Sequence, residues 1–346
     1  MTAAAVAPAA GQCPACREPV SPADSFCEVC GAELAPVMVS DGSDAGARSC
    51  PFCITSNITP DGYCESCGHK LPAGRDHVEI RLGLLAGVTD RGIRHHRNED
   101  AMALAAADTG AGPAAVAVVC DGVSSSARPD EASLAAVRAA AQVLVTAVKA
   151  GGDREGAASA AARAAADAVA ALAGPGDDPP AATYVSAVVA GEAAIVCWLG
   201  DSRAYWLAAE PGAGSQQLTT DDSVAAELIA AGMPEADALA SAQAHVVTRW
   251  LGADLAGAEP HVLRFQPPGR GILLLCSDGL WNYQPDAAGL AARALPAALT
   301  DPLGTARALA AFAIDAGGAD NVTAVLIPFP LAPPAPPDGG GAPQPS

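Results

Sequence analysis

The chain has 346 residues, 51% of them hydrophobic but only 4% aromatic, and a formal net charge of −19. That charge argues against a nucleic-acid binder, which needs a basic face to meet phosphates. No stretch reaches the run of roughly 18 apolar residues that a membrane span requires. The length allows a large core and more than one folded unit, and the opening MTAAAVAPAAGQ has neither a basic start nor a long apolar segment, so a cytoplasmic location is expected.

Residues 1–12 carry no pattern and are expected to be disordered. The eleven cysteines are ordered: Cys13, Cys16, Cys27 and Cys30 recur 37 residues later as Cys50, Cys53, Cys64 and Cys67. A Cys-x-x-Cys turn presents two thiolates to one side of a metal, and a second such turn completes the tetrahedron that zinc prefers. Units of this size (13–32 and 50–71) lack a core, so each is expected to fold around one zinc ion, with Gly31 and Gly68 easing the tight turns. Disulfides compete with this reading, but a reducing compartment disfavours them. Four thiolates saturate each ion, so the sites would be structural; the pattern resembles tandem zinc ribbons. Residues 33–49 and 72–82 read as linkers. Residues 1–76 hold four Lys/Arg against nine Asp/Glu, which makes a protein a better partner for the ribbons than DNA.

Residues 83–328 follow another pattern. Short apolar runs meet a carboxylate beside Gly or Asn: AVAVVCDG (115–122), AAIVCWLGDSR (193–203), GILLLCSDGLW (271–281) and DNVTAVLI (320–327). Their Val, Ile and Leu content predicts buried strands. Ala-rich helices are expected at about 130–150, 154–173, 286–295 and 302–316, the first two broken by the glycines of GGD (151–153). Paired helices and grouped strands, without regular βαβ alternation, indicate an α+β fold. The tail 329–346 is rich in Pro and Gly and is expected to be disordered.

One acid at a strand end is usually a turn residue. Four of them, with Glu99-Asp100 of GIRHHRNEDA (92–101), form a set whose repulsion calls for cations, and oxygen ligands select magnesium or manganese over zinc. The carbonyl of Gly122 is a further candidate ligand. The same stretch holds Arg94, His95, His96 and Arg97. Arginines disfavour a metal site built on these histidines, and their planar forks suit phosphate. Cys120, Cys197 and Cys276 end apolar runs and read as core thiols.

TDRGIRHHRNEDA, VVCDGV, LGDSRAYWL, TTDDS with VVTRWLG, LLLCSDGLW and DNVTAVL together resemble, in order, the metal-dependent Ser/Thr protein phosphatases of type 2C, the PPM family, across nearly all of 83–328. The resemblance implies a four-layer α-β-β-α sandwich with a two-metal centre at one end. By matching position, Asp121 would bridge two manganese or magnesium ions, the Gly122 carbonyl would bind one, and Asp278 and Asp320 would hold the other. Glu99 would act on the first ion directly or through water, Asp100 would anchor the water shell, and Asp201 with Asp278 would bind a third ion. The implied activity is hydrolysis of phosphoserine and phosphothreonine in protein substrates of a Ser/Thr kinase, by a metal-activated water and without a phosphoenzyme.

Three departures stand out. The family arginine four residues before the Glu is His95 here, and either Arg94 or Arg97 is left to bind phosphate beside it. Val123 and three serines follow Asp-Gly where some members have histidine, so the leaving-group proton would come from metal-bound water, His95 or His96. Asp222 replaces a common histidine before Ser223, at the start of a segment resembling the flap beside the active site. The alternative reading is a weakly active or inactive phosphatase-like scaffold that binds partners through its ribbons.

Overall fold

The computed structural model describes residues 18, 29, 37–42, 59, 64–68, 74–174, 178–210, 214–253 and 259–331. Cys13, Cys16, Cys27, Cys30, Cys50 and Cys53, the N-terminal residues 1–12 and the tail from 332 lie outside the described residues. In chain order the first elements are β1 (Val37–Val39), β2 (His77–Leu82), β3 (Leu85–Asp90), β4 (Asp100–Thr109), β5 (Gly112–Asp121), α1 (Pro129–Ala150) and α2 (Arg154–Ala170). There follow β6 (Ala181–Ala182), β7 (Tyr184–Ala190), β8 (Ala193–Leu199), β9 (Arg203–Ala208), β10 (Gln216–Gln217), α3 (Val224–Ala230) and α4 (Glu235–Leu239). The last are β11 (Leu251–Gly252), β12 (His261–Phe265), β13 (Gly271–Cys276), α5 (Asp278–Trp281), α6 (Ala287–Ala294), α7 (Pro302–Asp315) and β14 (Val322–Phe329).

Two six-stranded antiparallel sheets, in the orders β1-β4-β5-β7-β8-β12 and β10-β9-β13-β14-β3-β2, form the middle layers. Strand alternation divides their side chains between two interfaces. On β5, Val116, Val118 and Cys120 face α1 and α2, while Ala115, Ala117 and Val119 face the other sheet. On β13, Leu273 and Leu275 join that inter-sheet core, and Ile272, Leu274 and Cys276 pack under α6 and α7. Central strands are therefore apolar on both faces, which accounts for their unbroken Val/Leu runs and for the four-layer α-β-β-α stack.

The helices start and stop by local chemistry. Pro129 opens α1 with Asp130 and Glu131 in its first turn, where carboxylates favour the helix dipole, and Gly151 closes it at φ 68°. The side chains of Asp153 and Asp301 cap α2 and α7. By length and composition α1 could cross a membrane, yet Ala136, Ala140 and Leu144 bury it against the first sheet as a core helix.

The structure corrects the two linker expectations. The supposed linker 33–49 contributes β1, which pairs with β4 through Val37↔Ala105 and Val39↔Ala103, and 72–82 contains β2. In 193–203 the apolar run ends at its Gly-Asp as expected, and Gly200-Asp201-Ser202 turns the chain from β8 in one sheet to β9 in the other. Strand β4 (DAMALAAADT) is a central strand in an alanine-rich stretch that sequence propensity does not favour as strand; tertiary pairing with β5 overrides it.

Candidate active site

The site lies where five connections meet at one end of the sandwich. Residues 91–99 cross from β3 to β4, β5 ends at Asp121, the 200–202 turn changes sheets, and β13 ends just before Asp278 while β14 begins just after Asp320. Asp100 and Asp121 are cross-strand partners, which brings two acids together by register alone. Gly122 is required by packing: a Cβ there would lie 2.3 Å from the Pro129 carbonyl oxygen at the start of α1.

The acids are crowded and partly desolvated. Burial, then the neighbouring charges, holds the Asp121 and Asp278 carboxyls well above the usual carboxylate range. Burial pushes Asp100 up to about 6, against hydrogen bonds from Thr323 and Ser277 that favour its charged form. Asp201 is pushed up to about 7 by burial and by Asp221. Oδ1 of Asp100 and Oδ1 of Asp278 are buried without a hydrogen-bond partner, a costly arrangement for carboxylates unless a ligand completes them.

A polar scaffold fixes these groups from behind. Ser277 Oγ and Thr323 Oγ1 each donate to Asp100 Oδ2 at 2.7 Å. The Asn321 side chain accepts from the Glu99 N–H (2.7 Å) and donates to the carbonyls of Arg91 and Arg97. Trp281 Nε1 donates to the Asp201 carbonyl (2.9 Å), and the Arg203 guanidinium lies over the Trp281 ring while gripping Asp221 through two hydrogen bonds. None of these supports was singled out from sequence. Their signal was present in the sequence as hydroxyl residues within or directly after apolar runs: Thr89 in β3, Thr323 in β14 and Ser277 just after β13, all three fully buried.

The basic residues separate into distinct roles. Arg94, His95, His96, Arg97 and Glu99 line a cleft of about 530 Å³. Arg97 is engaged, with Nε 3.1 Å from Glu99 Oε1 and Nη1 3.3 Å from Asp130 Oδ1. His95 Nε2 lies 3.0 Å from Asp320 Oδ1, and its Nδ1 3.9 Å from Glu99 Oε2. The Arg94 guanidinium makes no ion pair or hydrogen bond among the described residues. Ser124, from the serine loop, donates to Glu99 Oε2 at 2.5 Å, so each Glu99 oxygen already accepts a hydrogen bond.

Asp222 is a lock just before α3. Its carboxylate accepts from the Gly200 N–H (3.0 Å), lies 2.9 Å from His261 Nε2 and 3.4 Å from Arg249 Nη1, and its carbonyl accepts from the Thr248 N–H. The three core cysteines are buried, and burial raises each thiol, Cys197 to about 12, which removes them as nucleophiles near neutral pH. Of the second cysteine unit, Cys64 and Cys67 are described: the Gly68 N–H donates to the Cys64 carbonyl at 2.8 Å with Gly68 at φ 74°, the tight turn expected there.

The donor set fits a hard divalent cation. It consists of oxygen ligands with two unsatisfied buried carboxylate oxygens. Among the described residues no three His, Cys, Asp or Glu side chains enclose an ion by themselves. Water and a backbone carbonyl would complete each shell, as magnesium and manganese commonly require.

Comparison with known proteins agrees with this arrangement. Residues 91–293 match the Protein phosphatase 2C family model, and residues 13–68 match the Double zinc ribbon model. The Serine/threonine phosphatase stp of Listeria innocua is 31% identical over 143 residues, 41% of this chain and 54% of that protein. That of Listeria welshimeri is 31% identical over 150 residues, again 54% of its length, so the chain spans about half the length of the curated relatives it matches. The PPM Ser-Thr phosphatase MsPP from Mycobacterium smegmatis, solved with cacodylate, is 29% identical, with a TM-score of 0.56 over 71% of this chain and 98% of that one. The catalytic domain of the phosphatase PstP, solved with two manganese ions, is 27% identical, with a TM-score of 0.56 over 70% of this chain and 96% of its own. With more than half of its residues matched by the family model, and the matched segment carrying Glu99, Asp100, Asp121, Asp201 and Asp278, the chain belongs to the protein phosphatase 2C family.

Proposed function

We propose that the protein hydrolyses phosphoserine and phosphothreonine in protein substrates, using manganese or magnesium at the acidic end of the sandwich. The observation that carries this is the pair of buried, unpartnered oxygens on Asp100 and Asp278 within a group of carboxyls that repel one another. Asp121, the Gly122 carbonyl, Asp278 and Asp320 would hold two cations, with Asp201 and Asp278 available to a third and Glu99 adjusting the first through its hydrogen-bonded oxygens. Bound divalent cations supply a water of lowered pKa and draw charge from the phosphoryl oxygens.

The chain's own residues do the rest. Arg94, lining the cleft with a guanidinium that has no partner among the described residues, takes the phosphoryl oxygens in its fork. Arg97, held by Glu99 and Asp130, keeps Glu99 in place and does not itself reach for substrate. His95 takes the position of the family arginine but steadies Asp320. His96, exposed on the same cleft, returns a proton to the departing serine or threonine oxygen. The two cysteine units are zinc-holding, structural modules that dock a protein partner; the Cys64–Gly68 turn supports the first half of that reading.

The test is hydrolysis of a phosphothreonine peptide with and without added manganese, beside Asp278→Asn. Manganese-dependent turnover that the variant lacks is the expected result. Folded protein without turnover in added manganese would favour the scaffold reading, which His95 in the arginine's place and the serine loop at Ser124, Ser125 and Ser126 support.

A further inference from the structure

Two segments that flank the second cysteine unit are built into the phosphatase fold. After β1, Ser40 is buried and exchanges two hydrogen bonds with Met102 on β4: its N–H donates to the Met102 carbonyl (3.0 Å), and its Oγ accepts from the Met102 N–H (2.9 Å). Gly42 then crosses Gly74 so closely that a Cβ on Gly42, itself at φ 76°, would lie 2.9 Å from the Gly74 carbonyl carbon. The crossing delivers Arg75 into the region behind the acids. Its Nη1 donates to the Asp130 carbonyl (2.8 Å) and its Nη2 to the Asp100 carbonyl (3.1 Å). The Arg75 carbonyl accepts from Asn98 Nδ2, and Asn98 Oδ1 accepts from the Asp100 N–H.

Asp100 is thus held on both sides. Ser277 and Thr323 fix its carboxylate, and Arg75 with Asn98 fixes its backbone. Through Asp130, the same guanidinium ties β4 to the first turn of α1, whose Asp130 carboxylate pairs with the Arg97 that orients Glu99. Arg75 lies between 13–68, the segment matched to the double zinc ribbon, and 91–293, the part matched to the phosphatase family, and belongs to neither match. Nothing in its sequence surroundings marks it, yet it is a cationic link between the strap and the acids, beside the pairing of Arg91 with Asp76 (3.5 Å).

We propose that Arg75 is a positioning residue for the cation centre: the strap made by residues 37–42 and 74–76, which flank the cysteine-rich segment in sequence, sets the placement of Asp100 and Glu99. The inference rests on the phosphatase reading only in taking Asp100 and Glu99 as cation-side acids.

The test uses the full chain and reads metal binding directly. Manganese is titrated calorimetrically into the wild type, Arg75→Met, Arg75→Lys and Gly42→Ala, with peptide turnover and thermal unfolding measured on the same samples. Arg138→Ala, which removes only the strap's outer ion pair with Asp41, is the control. The expected result is manganese affinity roughly tenfold weaker in Arg75→Met and weakened in the same direction in Gly42→Ala. The conservative Arg75→Lys would recover part of the loss, kcat would fall in parallel with KM for the peptide little changed, and Arg138→Ala would stay within about twofold of the wild type. Arg75→Met that melts earlier but binds manganese as tightly as the wild type would overturn the proposal, leaving Arg75 a purely structural residue. Should Arg75→Met fail to fold, Gly42→Ala with wild-type manganese affinity would overturn it equally. If the wild type shows no turnover, the phosphatase reading fails, while the calorimetric comparison still decides whether Arg75 places the acids.

Discussion

The molecule contains two clusters of carboxylates close to one another in the fold, and they are handled in opposite ways. Beside β2, Glu79 and Asp90 are matched by cations: His77 bonds Asp90 at 2.6 Å and Glu79 at 3.1 Å, and Arg307 grips Glu79 through two hydrogen bonds. Burial there opposes charge, but the hydrogen bonds outweigh it, so His77 is held up to about 9 and Glu79 down to about 2. At the strand ends the acids outnumber their cations, and Asp100, Asp121, Asp201 and Asp278 all shift upward. The first cluster is complete without help and contributes stability. The second is incomplete, and its unspent attraction for positive charge is what a cation site requires.

The comparison breaks most sharply under neutralisation. Asp278→Asn is expected to lower kcat by about a thousandfold or more, about 4 kcal/mol of transition-state stabilisation, while leaving the melting temperature of the metal-free protein unchanged or higher, because a repelling charge is removed. Glu79→Gln should do the reverse, sparing kcat and lowering stability.

The paired cluster also predicts a pH dependence. His77 has a folded pKa above its unfolded value, so its contribution is complete below about 6.5 and is lost as pH rises through about 9. Glu79 has a depressed folded pKa, so its contribution is complete above about 4.5 and is lost as pH falls through about 2. The difference in urea stability between the wild type and His77→Gln, in which the raised acids of the strand ends cancel, should be steady below about pH 6.5 and shrink by roughly 2–3 kcal/mol toward pH 9.

For the acid centre, manganese at a hundredfold excess over its dissociation constant should stabilise the fold by about 2.7 kcal/mol. The gain should shrink as pH falls, because protons compete for the raised carboxyls. Arg94→Ala should raise KM for a phosphopeptide about tenfold, about 1.4 kcal/mol, with metal affinity preserved. Arg97→Ala should instead disturb metal binding, since it releases Glu99. The smallest effect belongs to Arg138→Ala, a half-exposed pair with Asp41, which should cost no more than about 0.5 kcal/mol of stability.

Much of this organisation is legible in the sequence. The four apolar runs ending or beginning at acids are β5, β8, β13 and β14, and the four Ala-rich segments are α1, α2, α6 and α7. Register explains why: a strand buried on both faces leaves an apolar run, and its end leaves an acid. What the sequence hides is long-range. Strand β4 looks helical because alanine has no strand preference of its own, and β1 is three residues whose only reason to be a strand is the edge of β4. The division of labour between Arg94 and Arg97 depends on Asp130, far along the chain, and Arg75 acts through backbone carbonyls, which leave no sequence signature.

The most direct test of the central claim is a calorimetric titration of manganese into the purified chain at neutral pH, beside Asp121→Asn. The account predicts saturable binding with proton release in the wild type and its loss in the variant, because Asp121 stands between the Asp100 and Asp278 carboxyls. Absence of binding by the folded wild type, or equal binding by Asp121→Asn, would contradict the claim that these uncompensated acids form a cation centre.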